Sequence, residues 1–408
     1  MIFFIDFFKK LRKFIILFSY KNKSLSINHS TKKYLINFII FLVYICIIYY
    51  EFKLKEKITN YSFGKKYIDK CIKDINRTNF NYSDIYDFPK FSVIIPAYNC
   101  EKTIYYSIIS IQNQNISEYE IILINDLSTD KTLEILQSFS GHDKRIKIIN
   151  NIENKGTLYS RCIGTLMSKG EYIFSLDNDD MIFGEDIFDY FYKINIEDKY
   201  DIIGFKSVKA ESYSEKISKI NDLRNYQYKN NLIVLQPELS TWLISINGKF
   251  SPHDMTLWGK IIKSRIYINA INLLGKNRYS TYMSWAEDTS MNYVIFNVAN
   301  SFKFINKYGI FHLISRLTAS YTQPINNHFF GDLFLTEIIF DFSNNNHNKI
   351  FSLFSTLNTL KNFYKKRALI KQNNLDYLNS IVMKILNSEY IDTRNKHKLS
   401  AYFHKFLS

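Results

Sequence analysis

The chain has 408 residues, 46% of them hydrophobic and 22% charged, which is enough apolar material for a sizeable core and excludes wholesale disorder. Lys and Arg outnumber Asp and Glu by 53 to 38, but residues 1–33 alone carry eight basic side chains against one acid. The remaining excess is mild in a chain rich in Ile, Asn, Lys, Tyr and Phe, so it does not point to nucleic acid. The four cysteines form no C-x-x-C, and G-x-x-x-x-G-K-[ST], G-x-G-x-x-G and H-E-x-x-H are absent. A zinc ribbon, a P-loop NTPase, a dinucleotide site and a zincin all lose their usual support.

Residues 1–18 (MIFFIDFFKKLRKFIILF) are apolar with a basic middle, a pattern suited to a membrane surface. Residues 34–50 (YLINFIIFLVYICIIYY) carry no charge. As a helix they reach roughly 25 Å, the short end of the transmembrane range. A buried core helix is the rival; an ordinary surface helix would show a polar face. Basic residues dominate before this stretch, and a nearly balanced flank, Glu51 to Lys57, follows it. The charge asymmetry predicts a cytosolic tail at 1–33, a single anchor at 34–50 and a luminal remainder. That is a type II membrane protein, and a short span ending in Tyr suits the endoplasmic reticulum or Golgi. Residues 51–90 read as a polar stem with N-x-[ST] sequons at Asn60, Asn76 and Asn81; Asn115 beyond the stem and Asn22 and Asn28 on the basic side begin sequons too, as an Asn-rich sequence does by chance.

Beyond the stem, short apolar runs alternate with helical spacings. Strands are expected at 91–96, 120–124, 146–149 and 171–176, with helices at 103–112, 130–139 and 156–168 between them. Ser128 or Thr129 is available to cap the second helix. Alternation with short links predicts a parallel, doubly wound α/β sheet over residues 91–206. In such sheets ligands bind beyond the carboxyl ends of the strands, where Tyr98–Asn99, Asn125–Asp126 and Asp177–Asn178–Asp179–Asp180 fall.

The last cluster is the most informative. Three carboxylates in four residues repel one another unless a cation is present, and an oxygen-only set favours Mg²⁺ or Mn²⁺. A solvated acidic turn is the rival for the cluster alone, and Asp179 or Asp180 could also cap the next helix.

FSVIIPAYNCEKTI, IILINDLSTDKTLEIL, NKGTLYSRCIGTLMSKGEYIFSLDNDD and WAEDTSMNY occur in this order. Together they resemble the family-two glycosyltransferases over residues 91–320. The resemblance implies a GT-A fold: a Rossmann-like, mostly parallel sheet with flanking helices. It also implies a metal-dependent, inverting transfer from a nucleotide sugar, UDP-linked hexose or N-acetylhexosamine, to a glycan or other hydroxyl acceptor. By the same resemblance Pro96 and Tyr98 hold the base, with the Tyr98 ring against uracil, and Asp126 accepts the base N–H. Arg161 lies near the donor. Asp177, Asp179 and Asp180 match the D-x-D(D) signature that holds the ribose and a divalent ion, Mn²⁺ or Mg²⁺. Asp288 of the acidic pair is the general base, with Glu287 beside it. His312 falls where it could complete the metal shell or meet phosphate, with Arg316 as a rival for the phosphate.

Residues 207–330 would then form the acceptor half. There Glu287–Asp288 begins a helical spacing carried by Met291, Val294 and Ile295, and Trp285 could stack on a sugar or serve as core. Trp258 in the W-x-K stretch reads as packing, and His253–Asp254 is placed in the acceptor cleft. Residues 331–408 show helical spacings and read as a small helical C-terminal subdomain, with a basic patch at Lys361, Lys365, Lys366, Arg367 and Lys371 that suits a solvated face. A catalytically inactive sugar- or partner-binding relative of the same fold is the alternative. A nucleotidyltransferase is disfavoured because PAYNCEKTI lacks a glycine- and lysine-rich loop.

Overall fold

The computed structural model describes residues 88–198, 200–210, 232–236, 238–239, 256–313, 324–343 and 346–407. The expected cytosolic tail, the anchor at 34–50 and nearly all of the stem lie outside the described residues, as do His253, Asp254 and Arg316. Among the described residues no helix is long and apolar enough to cross a membrane.

The expected alternation is present. Strand β1 (Phe91–Ala97), helix α1 (Ile104–Gln112), β2 (Tyr119–Asn125), α2 (Thr132–His142), β3 (Ile146–Asn150), α3 (Thr157–Leu166) and β4 (Tyr172–Ser175) follow in order. β1 pairs in parallel with β2 and β4, and β2 with β3. Every residue of β1 and β2 is buried, as expected for strands covered on both faces. Successive side chains of a strand point to opposite faces. Phe91, Val93 and Ile95 accordingly join the cluster around α1, Phe188 and Phe191, while Ile94 joins the one around α3 and Tyr267.

The later strands change the picture. They are β5 (Met181–Ile182), β6 (Ile202–Ala210), β7 (Ile233–Leu235), β8 (Lys260–Lys263) and β9 (Ser301–Leu313), with α4 (Ile187–Asp198), α5 (Ser264–Leu274), α6 (Lys276–Tyr279) and α7 (Glu287–Val298) among them. Among the described residues all nine strands form one sheet, ordered β3-β2-β1-β4-β8-β6-β9-β5, with β7 on β9. β8 is antiparallel to β4 and β6, and β5 and β7 are antiparallel to β9. The expectation of a mostly parallel sheet is therefore corrected to a mixed one. Parallel neighbours need a crossover between them, and the regular strand–helix alternation that supplies it stops at β4. β6 also runs through position 206, so the two expected halves share this sheet.

The cap expected for the second helix is corrected too. Lys131 precedes α2 and makes no side-chain cap. Ser128 and Thr129 are committed to the neighbouring loop: the Asn99 amide donates to Ser128 Oγ at 3.2 Å and the Thr129 amide to Asn99 Oδ1 at 2.8 Å.

The C-terminal region is helical: α8 (Ile325–Phe342), α9 (Asn346–Phe363), a 3₁₀ turn at Tyr364–Leu369, α10 (Gln372–Leu386) and α11 (Thr393–Leu407). Phe329 and Leu333 of α8 share a separate apolar cluster with Leu378, Ile381 and Phe403. The other side of α8, through Phe334, Leu335 and Ile338, enters the main core with Met291 and Ile295 of α7.

Candidate active site

The ends of β1 and β2 are locked to each other. Ala97 lies opposite Asn125, and the Asp126 amide donates to Ala97 O at 2.9 Å. The Cys100 amide donates to Thr132 Oγ1, and the Glu101 amide to Asp130 Oδ2. Pro96 is buried, with its carbonyl accepting from Asn178 Nδ2 at 2.9 Å, whereas Tyr98 is 47% exposed just past the strand. Asp126 is buried, and its carboxylate accepts from Asn151 Nδ2 and from the Lys155 and Gly156 amides. It therefore holds the 151–156 loop against the β2 end. Gly156, at φ +84, starts α3 and pairs with Met283; a Cβ there would meet Met283 O at 2.6 Å. Only glycine allows that approach.

Arg161 is the centre of the site. It is buried on α3, yet it carries a charge that must be matched. Its Nη2 donates to Asp177 Oδ1 at 2.5 Å, its Nη1 donates to Asp288 Oδ1, and Glu287 lies 3.7 Å from Nη1. The neighbouring acids hold the guanidinium firmly protonated despite the opposing effect of burial. Two acidic motifs far apart in the chain thus meet on one side chain.

Asp177, Asp179 and Asp180 offer carboxylate oxygens within 4.8 Å of one another. Burial, followed by repulsion from Asp180 and Asp177, pushes Asp179 up to about 8. Asp180 is fully buried; its Oδ1 accepts from the Leu313 amide at 3.1 Å and lies 2.8 Å from His312 Nδ1. Burial raises the Asp180 carboxyl, and His312 opposes that shift. Asp180 and the neighbouring acids outweigh burial and raise the imidazole. The ring stacks on Trp258, 4.6 Å between centroids at 20°. The Asp180 carboxylate at Nδ1 and the Trp258 stack fix the orientation of this ring, as a carboxylate partner does for ligating histidines.

The acidic pair starts α7, and Met291, Val294 and Ile295 are buried as their spacing predicts. Asp288 Oδ2 accepts weakly from the Leu257 amide at 3.3 Å. Burial raises its carboxyl, partly opposed by Arg161. Burial and Asp288 push Glu287 up to about 7. Ala286, immediately before the pair, is left-handed at φ 60. That conformation costs a residue with a Cβ about 1–2 kcal/mol, so the surrounding structure must hold it there.

Two residues escaped sequence reading. Lys260 is 1% exposed, donates to Thr256 O, and, with Arg161, partly offsets the rise that burial imposes on the Asp288 carboxyl. Its place in a short apolar strand was the available signal, since a lysine there must bury its charge beside acids. Leu127 is left-handed at φ 61 and 47% exposed, next to Asp126; no periodicity marks such a position.

Known proteins are similar to this chain in sequence and fold. Residues 92–239 match Glycosyl transferase family 2. Over 224 residues the chain is 28% identical to the uncharacterized glycosyltransferase EpsJ of Bacillus subtilis (strain 168), covering 54% of this chain and 59% of EpsJ. Over 134 residues it is 34% identical to the chondroitin synthase of Pasteurella multocida (strain Pm70), covering 31% of this chain and 14% of the synthase. The match thus spans less than two thirds of either curated relative. The crystal structure of S. aureus TarS 1–349 in complex with UDP-GlcNAc superposes at a TM-score of 0.54 and 16% identity, covering 78% of this chain and 89% of that one. That likeness is one of fold, an α/β mixed sheet with flanking helices. Residues 92–239 are thus a glycosyl transferase family 2 match, and relatives named glycosyltransferases align over the same part of the chain.

Proposed function

We propose that the chain is an inverting, cation-dependent glycosyltransferase that moves a sugar from a UDP-linked donor to a hydroxyl of a glycan. One observation carries this reading: Arg161 joins Asp177 of the strand-end acids to Asp288 at the start of α7. The acids facing a diphosphate and the acid suited to accept a proton therefore share a single anchor. UDP-GlcNAc in TarS supports a UDP-sugar donor, and a relative named chondroitin synthase supports a glycan acceptor.

The strand-end acids fit a divalent cation, because three mutually repelling, oxygen-only ligands lie within 4.8 Å and raise one another's carboxyls. Asp177, Asp179 and Asp180 would hold Mg²⁺ or Mn²⁺, with His312 behind Asp180. When bound, the ion stabilises the negative charge of the departing diphosphate. Tyr98, Pro96 and Asp126 form the base end of the site. Asp288 takes the proton of the acceptor hydroxyl as its oxygen bonds to the anomeric carbon. The bond from that carbon to the diphosphate oxygen breaks, and its electron pair leaves with UDP. Incubating the full chain in detergent with a panel of nucleotide sugars tests the reading. UDP release from a UDP-sugar, abolished by chelator, is expected; release from no donor would sink it.

From the charge asymmetry around residues 34–50 we also propose that residue 51 onward lies across the membrane from the N-terminus. Protease treatment of intact microsomes should leave the catalytic domain whole. Its digestion without detergent would reverse the orientation.

A further inference from the structure

We infer that Asp332 on α8 is a positioning residue for the acidic pair Glu287–Asp288, acting through Trp285. The inference rests on the catalytic reading of Asp288 given above, and it assigns a role to the first helix of the C-terminal bundle.

The contacts converge on Ser284 and Trp285, just before the pair. Trp285 Nε1 donates to Asp332 Oδ1 at 3.0 Å. The indole lies against the His328 ring, with 4.1 Å between centroids. Asn327 Nδ2 donates to Ser284 Oγ at 3.0 Å. Gly331 lies so close to the Trp285 backbone that a Cβ would meet its carbonyl oxygen at 2.3 Å. Positions 327, 328, 331 and 332 are spaced by three and four, so they line one face of α8. That face receives the Ser284–Trp285 segment as a fitted surface.

The next residue is Ala286, in the left-handed conformation that ends the segment and starts α7. Its carbonyl accepts from the Ser290 amide at 3.0 Å and from Ser290 Oγ at 2.8 Å. The turn is thus held downstream by α7 and upstream by Trp285 on α8. A residue held in a sparsely populated conformation stays there only when both flanks are fixed. If Trp285 loses its hold, Ala286 can relax, and the direction in which Asp288 leaves the helix start changes with it. The Trp285 indole is thus engaged by His328 and Asp332 of α8.

The test compares Asp332→Ala, Asp332→Asn, Trp285→Phe and the double variant Asp332→Ala/Trp285→Phe in the full chain. Donor turnover is followed by UDP release, UDP affinity by calorimetry with Mn²⁺, and local opening by amide hydrogen exchange. Asp332→Ala should lower kcat about tenfold or more, because a misplaced reacting group loses much of its effective concentration. Donor KM and UDP affinity should stay within about twofold, since the nucleotide end is untouched. Trp285→Phe cannot donate and should match it, and the double variant should be no worse than either single one. Asp332→Asn keeps an acceptor oxygen and should recover most of the lost rate. Exchange at residues 284–290 should quicken in Asp332→Ala, with β1–β4 unchanged. Unaltered exchange at 284–290, additive losses in the double variant, or no rescue by Asn would each overturn the inference. A wild-type chain that turns over no donor would defeat the catalytic reading instead, and the exchange comparison would still decide whether Asp332 holds the acidic pair.

Discussion

Asp288→Asn is expected to keep the fold and nucleotide binding while lowering the transfer rate by about 10²–10⁴, the usual contribution of a positioned general base. The amide is nearly isosteric, and its oxygen can still accept from Arg161 or from the Leu257 amide, as the carboxylate does. It cannot take a proton from the acceptor at neutral pH. The neighbouring carboxyl is a poor substitute. Burial and Asp288 push the Glu287 carboxyl up, and Glu287 lies 3.7 Å from Arg161 Nη1, outside hydrogen-bond reach. Asp288, paired with the Arg161 guanidinium, is the member of the pair better kept as an anion. Glu287→Gln should therefore cost less. Donor affinity is the control, because a base that acts on the acceptor leaves the nucleotide site alone. A wild-type rate in Asp288→Asn would move the base to Glu287, and loss of donor binding would make Asp288 a structural residue.

Asp179→Ala should lower Mn²⁺-dependent UDP affinity by about 100-fold or more, since it removes an oxygen ligand from a three-carboxylate set. The neighbouring substitution behaves differently in one respect. Asp180 is fully buried and accepts from the Leu313 amide. Asp180→Ala strands that donor in the interior, which costs about 1–3 kcal/mol. Both variants should lose metal-dependent binding, but thermal unfolding should fall only in Asp180→Ala. In Asp179→Ala the loss of repulsion from Asp177 and Asp180 should leave unfolding unchanged or slightly later when no cation is added. Calorimetry that gives the same UDP affinity for Asp179→Ala and the wild type, with and without chelator, would remove the cation from these residues.

β1, β2 and β4 were legible because a strand buried on both faces leaves a mostly apolar run, as in FSVIIPA and YEIILIN, and the partly buried β3 was legible from its short IKII run between helical spacings. The acid clusters were legible as residue types at strand and helix ends, where a sheet of this kind exposes its backbone ends to a ligand. The direction of the later strands was not legible. β8 and β5 are four and two residues long, and short apolar runs carry no information about the partner they pair with.

By itself the sequence determined the α/β alternation, the chemical character of the strand-end acids and the family resemblance carried by the order of its motifs, because these depend on local periodicity, residue type and motif order. Only the tertiary structure decided that Arg161 answers both Asp177 and Asp288, that Asp180 is oriented by His312 and Leu313, and that α8 grips Trp285 beside the acidic pair. Each of these is a pairing of buried charges or polar groups between segments remote in the chain. Local pattern shows that such a group must find a partner, and only packing selects which one.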